Sequence, residues 1–366
     1  MIKVLVIDDS ALVRKLLGRI LSEAADFEVY FARNGLEGLK QMAPVNPDVV
    51  TLDIQMPGMD GLACLDRIMI EHPCPVVMVS SATREGAEAT LEALRLGAVD
   101  FVPKPEASVS LHMDAFGPSF VSKVRSAAGV KLKASLRLRE RVQYQMGAHA
   151  SPRRPAAGVE AAPVRATGSG VVVVGTSTGG PPALEALLGA LPSTFPWPIV
   201  IAQHMPASFT GALARRLDGL CAISVGEVLR ATALAPGHAY IGRGDADVVI
   251  SKVAGDLIAT PALADAGYLW RPSADRLVTS AIENVPPDLL IGILMTGMGN
   301  DGAASMTRLR ALGGRTIAEA EETAVVWGMP GELVKAGGAA WVLPLPRIAE
   351  QLRKLVPLHA PDPQQV

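Results

Sequence analysis

The chain has 366 residues, enough for two domains with a core each, and its three cysteines fit neither a disulfide framework nor a zinc motif. A net charge of −2 gives no global pull toward nucleic acid or an anionic membrane, and 49% hydrophobic against 19% charged residues excludes a disordered or fibrous chain. The opening "MIKVLVIDDS" is no signal peptide, because its short apolar run ends in two aspartates, so the cytoplasm is the expected compartment.

Over residues 1–120, five short apolar runs ("KVLVID", "FEVYFA", "PDVVTLDI", "CPVVMVSS", "DFVPKP") alternate with helix-like segments such as "ALVRKLLGRILSEA" and "REGAEATLEALRLGA". Strands alternating with helices predict a doubly wound, five-stranded parallel sheet of flavodoxin type, with functional residues at the carboxyl ends of the strands. Asp8 and Asp9 follow the first strand and Asp53 ends the third. Converging carboxylates repel unless a proton or a cation intervenes, and a hard ion such as Mg²⁺ suits oxygen ligands. The ion would leave one carboxylate free to attack phosphorus. Ser80 is placed to hydrogen-bond the resulting phosphoryl group and Lys104 to pair with its charge. Any one of these residues alone reads as a cap, a turn or a solvated side chain; five in order at strand ends do not.

This half resembles the response-regulator receiver domain, on the segments "VIDDS", "DIQMPGMDG", "VMVSS" and "DFVPKP". The resemblance implies that Asp53 is phosphorylated, that Asp8, Asp9, Asp53 and the Gln55 carbonyl hold Mg²⁺, and that Ser80 and Lys104 read the phosphoryl group. Phe101 stands where the family has a switching aromatic, although packing alone would also place it there. Pro103, just before Lys104, is a departure that bears on edge pairing.

After residue 120 the texture changes. "SKVRSAAGVKLKASLRLRERVQYQ" is basic and begins as a helix, and "GAHASPRRPAAGVEAAPVRATGSG" has no apolar period. The expected division is a receiver over 1–125, a flexible linker over 126–166 and a catalytic domain over 167–360.

A second α/β pattern starts near residue 170, with strands at "VVVVG", "WPIVIAQH", "HAYIG", "DVVIS", "DLLIGILMTG", "RTIAEA" and "AAWVLPL". It predicts a doubly wound, mostly parallel sheet, with "HAYIGRGDADVVIS" as a hairpin-like insertion. The stretch "VVVVGTSTGG" is the first chemical signal. A dinucleotide fingerprint needs glycine where Ser177 stands, and a P-loop needs a lysine after Gly180, so both phosphate readings fail. Gly175-Thr176-Ser177-Thr178-Gly179 has the spacing of a G-x-S-x-G nucleophile turn, with a plain capping serine as the alternative. His204 ends the strand "IVIAQH" as a candidate base, or as a satisfied core histidine; His238 reads as a turn residue. Asp301, in "MTGMGNDG", is the candidate orienting acid, or the N-cap of "GAASMTRLRALG".

Residues from about 168 to 357 resemble the catalytic domain of the chemotaxis protein-glutamate methylesterase family, CheB, on "GTSTGGPPAL", "QHMPASFT", "LAPGHAYI", "RPSADRL", "MTGMGNDGAA" and "EETAVVWGMP". The resemblance assigns Ser177 as nucleophile, His204 as base and Asp301 as orienting acid. It also gives Met298 a backbone N–H in the oxyanion hole; the side chain alone would read as packing. "GRG" at Gly242–Gly244 departs from the family's usual "APG". The implied activity is a phosphorylation-activated hydrolase that demethylates glutamate methyl esters on chemotaxis receptors and deamidates receptor glutamines. The implied partners are methylated chemoreceptors as substrate and a chemotaxis-type histidine kinase as phosphodonor. Nucleic acid and membrane insertion are not expected, and neither is a cofactor for the esterase step. A monomer is expected, in which the unphosphorylated receiver covers the Ser177 cleft. A transcriptional regulator would need a helix-turn-helix and a basic recognition helix, which the second half lacks.

Overall fold

The computed structural model describes residues 1–104, 113–132, 170–263 and 265–356. The chain divides into two compact units, Met1–Ala150 and Ser151–Val366. Residues 133–166, which hold most of the expected linker, lie outside the described residues.

In the first unit the strands are β1 (Ile2–Ile7), β2 (Phe27–Ala32), β3 (Val49–Asp53), β4 (Val76–Ser80) and β5 (Asp100–Pro103). All pair in parallel, in the order β2-β1-β3-β4-β5. The helices are α1 (Ala11–Glu23), α2 (Gly35–Val45), α3 (Gly61–Glu71), α4 (Arg84–Leu96) and α5 (Met113–Ala128). Their starts are written in the sequence: Ser10, Asn34, Asp60 and Thr83 each accept a backbone N–H from the first turn of the next helix. Each such cap is worth about 1 kcal/mol. The middle strands are buried on both faces, as helices on both sides of a parallel sheet require. β5 is an edge strand, so Pro103 costs no central ladder bond.

The second unit has a seven-stranded parallel sheet, in the order β15-β14-β13-β6-β7-β10-β8. Its strands are β6 (Val171–Thr176), β7 (Ile199–Gln203), β8 (Ser224–Val228), β10 (His238–Gly242), β13 (Leu290–Leu294), β14 (Arg315–Glu319) and β15 (Trp341–Leu343). Its helices are α6 (Gly180–Gly189), α7 (Ala207–Leu220), α8 (Ala274–Asn284), α9 (Ala303–Ala311), α10 (Met329–Lys335) and α11 (Leu345–Leu355). The four valines of β6 are fully buried. At about 1.5–3 kcal/mol per side chain, their burial makes this the natural central strand.

From β6 the chain moves outward on one side through β7, and later returns to the other side through β13. Such a reversal opens a crevice at the carboxyl end of the sheet.

The hairpin expected over 238–251 does not form. β10 lies in the parallel sheet between β7 and β8, whereas β11 (Asp247–Val253) pairs with β12 (Asp256–Ala262) in a separate antiparallel sheet with β9 (Thr232–Ala233). "RGDA" looks like a hairpin turn but crosses between sheets. Gly244 presses on the loop after His204, and a Cβ there would sit 2.0 Å from the Met205 carbonyl oxygen. The actual hairpin turn is Ala254–Gly255, with φ of 52° and 96°, the left-handed pair a two-residue turn needs.

Cys64, Cys74 and Cys221 are all buried and unbridged. Burial pushes their thiols up, to about 11 for Cys64 and about 12 for Cys74 and Cys221. Thiolate is the reactive form, so at pH 8 the folded protein should give almost no fast reaction with a disulfide reagent such as DTNB, and all three thiols on unfolding. A fast stoichiometric thiol in the native protein would contradict this.

Candidate active site

In the first unit, β1 and β3 are neighbours, so the ends carrying Asp8 and Asp53 converge. Carboxylate oxygens of Asp8, Asp9 and Asp53 all lie within 4.8 Å of one another. Asp8 and Asp53 are buried and Asp9 is exposed. Lys104 Nζ donates to Asp53 Oδ2 at 2.7 Å and stands 3.4 Å from Asp8 Oδ2, which is buried and takes no hydrogen bond. Burial pushes both carboxyls above their usual range, and the Lys104 charge offsets only part of this. Burial by itself would lower Lys104, but its bond to Asp53 and the charges of both aspartates hold it above its ordinary value. An acceptor-only oxygen cluster in which the buried Asp8 Oδ2 takes no hydrogen bond and has its ion-pair partner at 3.4 Å suits a hard cation.

Gln55 lies two residues beyond Asp53 and donates its backbone N–H to Asp53 Oδ1 at 3.1 Å. Ser80 ends β4 and donates its hydroxyl to the Gly86 carbonyl at 3.1 Å, in the first turn of α4. Phe101 is buried in β5, with Lys123 Nζ 5.2 Å from its ring centre.

In the second unit, Ser177, His204 and Asp301 follow β6, β7 and β13, three adjacent strands. Thr176 and Gln203 are in register, so Ser177 and His204 are the next residues on neighbouring chains, and His204 donates its backbone N–H to the Thr176 carbonyl at 3.0 Å.

The capping readings of Ser177 and Asp301 do not hold. The N-caps of the helices that follow are Gly179, at φ +77°, and Gly302, neither with a side-chain cap. Gly180 has no room for a side chain, since a Cβ would lie 2.0 Å from Gln203 Oε1. The glycines thus make a sharp turn that leaves Ser177 at the head of α6, where the helix dipole favours negative charge.

Asp301 does meet a helix N-terminus, but that of α8. Its Oδ1 accepts from the Ser273 hydroxyl at 2.8 Å and the Asp275 N–H at 3.0 Å. Its Oδ2 accepts from the Ala274 N–H at 2.6 Å and pairs with His204 Nε2 at 2.7 Å. Burial alone would raise this carboxyl; His204 and the backbone donors outweigh it and hold it below the usual range. Nδ1 of His204 is buried without a hydrogen-bond partner. His238 is exposed and spends its Nδ1 on the Pro236 carbonyl, as a turn residue does.

Thr296 ties the nucleophile turn to the strand opposite. Its carbonyl accepts from the Ser177 N–H and the Thr176 hydroxyl, each at 3.0 Å, and its hydroxyl donates to the Thr178 carbonyl at 2.8 Å. Gly297 follows closely enough that a Cβ there would be 2.8 Å from Ser177 Cβ, which brings Met298 into the same neighbourhood.

Four further residues at this centre escaped the motif reading. Trp270 stacks on the His204 ring at 5.2 Å between centroids and 7° between planes. Gln203 donates to the Ser177 and His204 carbonyls at 3.0 and 3.1 Å. Ser273 holds Asp301, and Thr296 the turn. Only Ser273 left a usable signal, as a serine immediately before an amphipathic run.

Comparison with known proteins agrees with this layout. The CheB methylesterase family model matches residues 172–352, and the response regulator receiver domain model matches residues 4–115. A protein of Rhodopseudomonas palustris (strain BisB18) named protein-glutamate methylesterase/protein-glutamine glutaminase 2 is 56% identical over 95% of this chain and 96% of its own. One of Rhodospirillum rubrum, named protein-glutamate methylesterase/protein-glutamine glutaminase 3, is 51% identical over 96% and 95% respectively. The crystal structure of the Thermotoga maritima CheB methylesterase catalytic domain matches with a TM-score of 0.50 and 37% identity, over 52% of this chain and all of that one. With a receiver ahead of a methylesterase domain and similarity running along nearly its whole length, the chain belongs to the CheB protein-glutamate methylesterase family.

Proposed function

We propose that this chain hydrolyses methyl esters of glutamate side chains on chemotaxis receptors, deamidates receptor glutamines at the same centre, and is activated by phosphorylation of Asp53. The observation that carries the reading is the convergence of Ser177, His204 and Asp301 on three adjacent strand ends. With Nε2 given to Asp301, Nδ1 is the nitrogen left to take the Ser177 proton. The Ser177 oxygen attacks the ester carbonyl carbon, and the Met298 N–H binds the oxyanion; one such donor is typically worth about 3–4 kcal/mol of barrier. The imidazolium returns its proton to the leaving methoxide, and methanol departs. Water, deprotonated by Nδ1, then cleaves the acyl-enzyme to glutamate. A glutamine amide enters the same path with ammonia as leaving group.

In the receiver, Asp53 accepts the phosphoryl group from a chemotaxis-type histidine kinase. Asp8, Asp9, Asp53 and the Gln55 carbonyl would hold Mg²⁺, which when bound neutralises charge on the incoming phosphate. Lys104, freed from its bond to Asp53, pairs with the phosphoryl oxygens. Ser80 turns its hydroxyl from Gly86 toward them, and Phe101 repacks with that movement. The protein works in the cytoplasm as a monomer; no described helix is long and apolar enough to cross a membrane.

The test is methanol release from methylated receptors, with and without a small phosphodonor such as acetyl phosphate in Mg²⁺. Asp53→Asn should retain the basal rate and lose all stimulation, because an amide oxygen does not accept phosphoryl here. No methanol from any receptor under either condition would overturn the reading. Stimulation that survives in Asp53→Asn would overturn its regulatory half.

A further inference from the structure

Behind the nucleophile turn lies an acid that the mechanism does not use. Glu319 ends β14, one strand beyond β13, and is fully buried. Its Oε2 accepts the Thr296 N–H at 2.8 Å, and its Oε1 is 2.9 Å from the Thr323 hydroxyl. Its own carbonyl accepts the Trp327 indole N–H at 2.8 Å. Thr296 is the residue whose carbonyl holds the Ser177 N–H and whose hydroxyl accepts the Val326 N–H and donates to Thr178. One residue, Thr296, therefore links this carboxyl through its N–H to the segment that holds Ser177 through its carbonyl and leads into Met298.

We propose that Glu319 is a positioning residue for the nucleophile turn and the oxyanion strand, and that it serves as a neutral carboxylic acid. Full burial among neutral hydrogen-bond partners favours the acid form. Thr323 Oγ1 already accepts the Leu345 N–H at 3.0 Å and lies 3.3 Å from the Ala320 carbonyl. A protonated Oε1 donates to Thr323, whose own proton then serves Ala320, and every group in the cluster has a partner. The Ala320 carbonyl also accepts the Thr323 and Ala324 N–H groups at 3.1 Å each, so the acid and the carboxylate are both fully hydrogen-bonded, and the charge decides between them. An ionised carboxylate buries a charge whose side-chain hydrogen bonds are all to neutral groups, the costly case for an interior carboxylate. Burial pushes this carboxyl above its usual range, and the two donors offset only part of that. A negative charge here would also oppose the oxyanion that the neighbouring strand must stabilise.

The inference rests on the Ser177 reading, and its test separates the two. Glu319→Gln keeps the acceptor for Thr296 and a donor for Thr323 without a charge; Glu319→Ala removes both. In the full-length protein, Glu319→Gln should keep kcat for methanol release within about threefold of wild type. Glu319→Ala should lower it on the order of 100-fold, with KM within about twofold, a loss in the range seen when one oxyanion donor fails. Labelling of Ser177 by a fluorophosphonate probe should follow the same order, and it needs no receptor. Wild-type kcat and labelling in a folded Glu319→Ala would overturn the positioning role. Glu319→Gln, which tests the charge even if the alanine variant does not fold, would overturn the neutral-acid role by falling 100-fold. Failure of the Ser177 reading would show separately, as methanol release that persists in Ser177→Ala.

Discussion

Ser177→Ala should abolish methanol release, with kcat reduced on the order of 10⁶-fold, the scale of losing the nucleophile of a serine triad. The same substitution should leave the thermal midpoint almost unmoved. The turn is held by the Ser177 N–H on the Thr296 carbonyl, and by the Ser177 carbonyl accepting from Gly180 N–H at 2.8 Å and Gln203 Nε2 at 3.0 Å. All of these use backbone atoms of residue 177, which alanine keeps. A large loss of activity without loss of stability is the signature of a chemical role. Full activity in a folded Ser177→Ala would remove the nucleophile assignment.

Asp301→Asn should reduce kcat by roughly 10⁴-fold, because an amide no longer fixes which imidazole nitrogen carries the proton. Here the substitution should also destabilise the fold. Both oxygens of Asp301 face two donors each, so an amide NH₂ in either orientation points at an N–H of Ala274 or Asp275. A buried donor left facing a donor costs about 1–3 kcal/mol. The pH dependence has a definite sign. The Asp301 carboxyl lies below its usual value in the folded protein, so its stabilisation is present above the ordinary carboxylate range and lost as pH falls through the folded value. Thermal midpoints of wild type and Asp301→Asn should differ most near neutrality and converge on acidification. A gap that widens on acidification would contradict this.

Much of this molecule is legible in one dimension. Apolar runs that end in Asp8, Asp53, Ser80 and Lys104 announce a parallel sheet whose strand ends are chemical, since period and punctuation are local properties. The resemblance of those segments, and of "GTSTGGPPAL" and "MTGMGNDGAA", to known motifs pointed to both domains and named Asp53, Ser177, His204 and Asp301, but not Trp270, Gln203, Ser273 or Thr296. β8, β9 and β12 were not legible. β8 is an edge strand, β9 has two residues, and β12 carries Pro261, so none shows a clean apolar period.

What the sequence determined by itself is the chemistry available: a serine on a glycine turn, a strand-end histidine, an acid, and a separate cluster of carboxylates. What only the tertiary structure decided is which of them meet, and through which atoms. Asp301 precedes α9 in the chain but docks on α8, so its local capping signal pointed to the wrong helix. Nε2 of His204 bonds Asp301 and Nδ1 is left buried without a partner, a choice no spacing encodes. Trp270 covers the imidazole from 66 positions away (residue 270 against 204), and Glu319 reaches the nucleophile turn through one peptide N–H of Thr296. Hydrogen bonds and ring contacts of this kind depend on strand order and on side-chain rotamers within a shared core. Those are set by how the whole sheet packs, and no window of the sequence carries them.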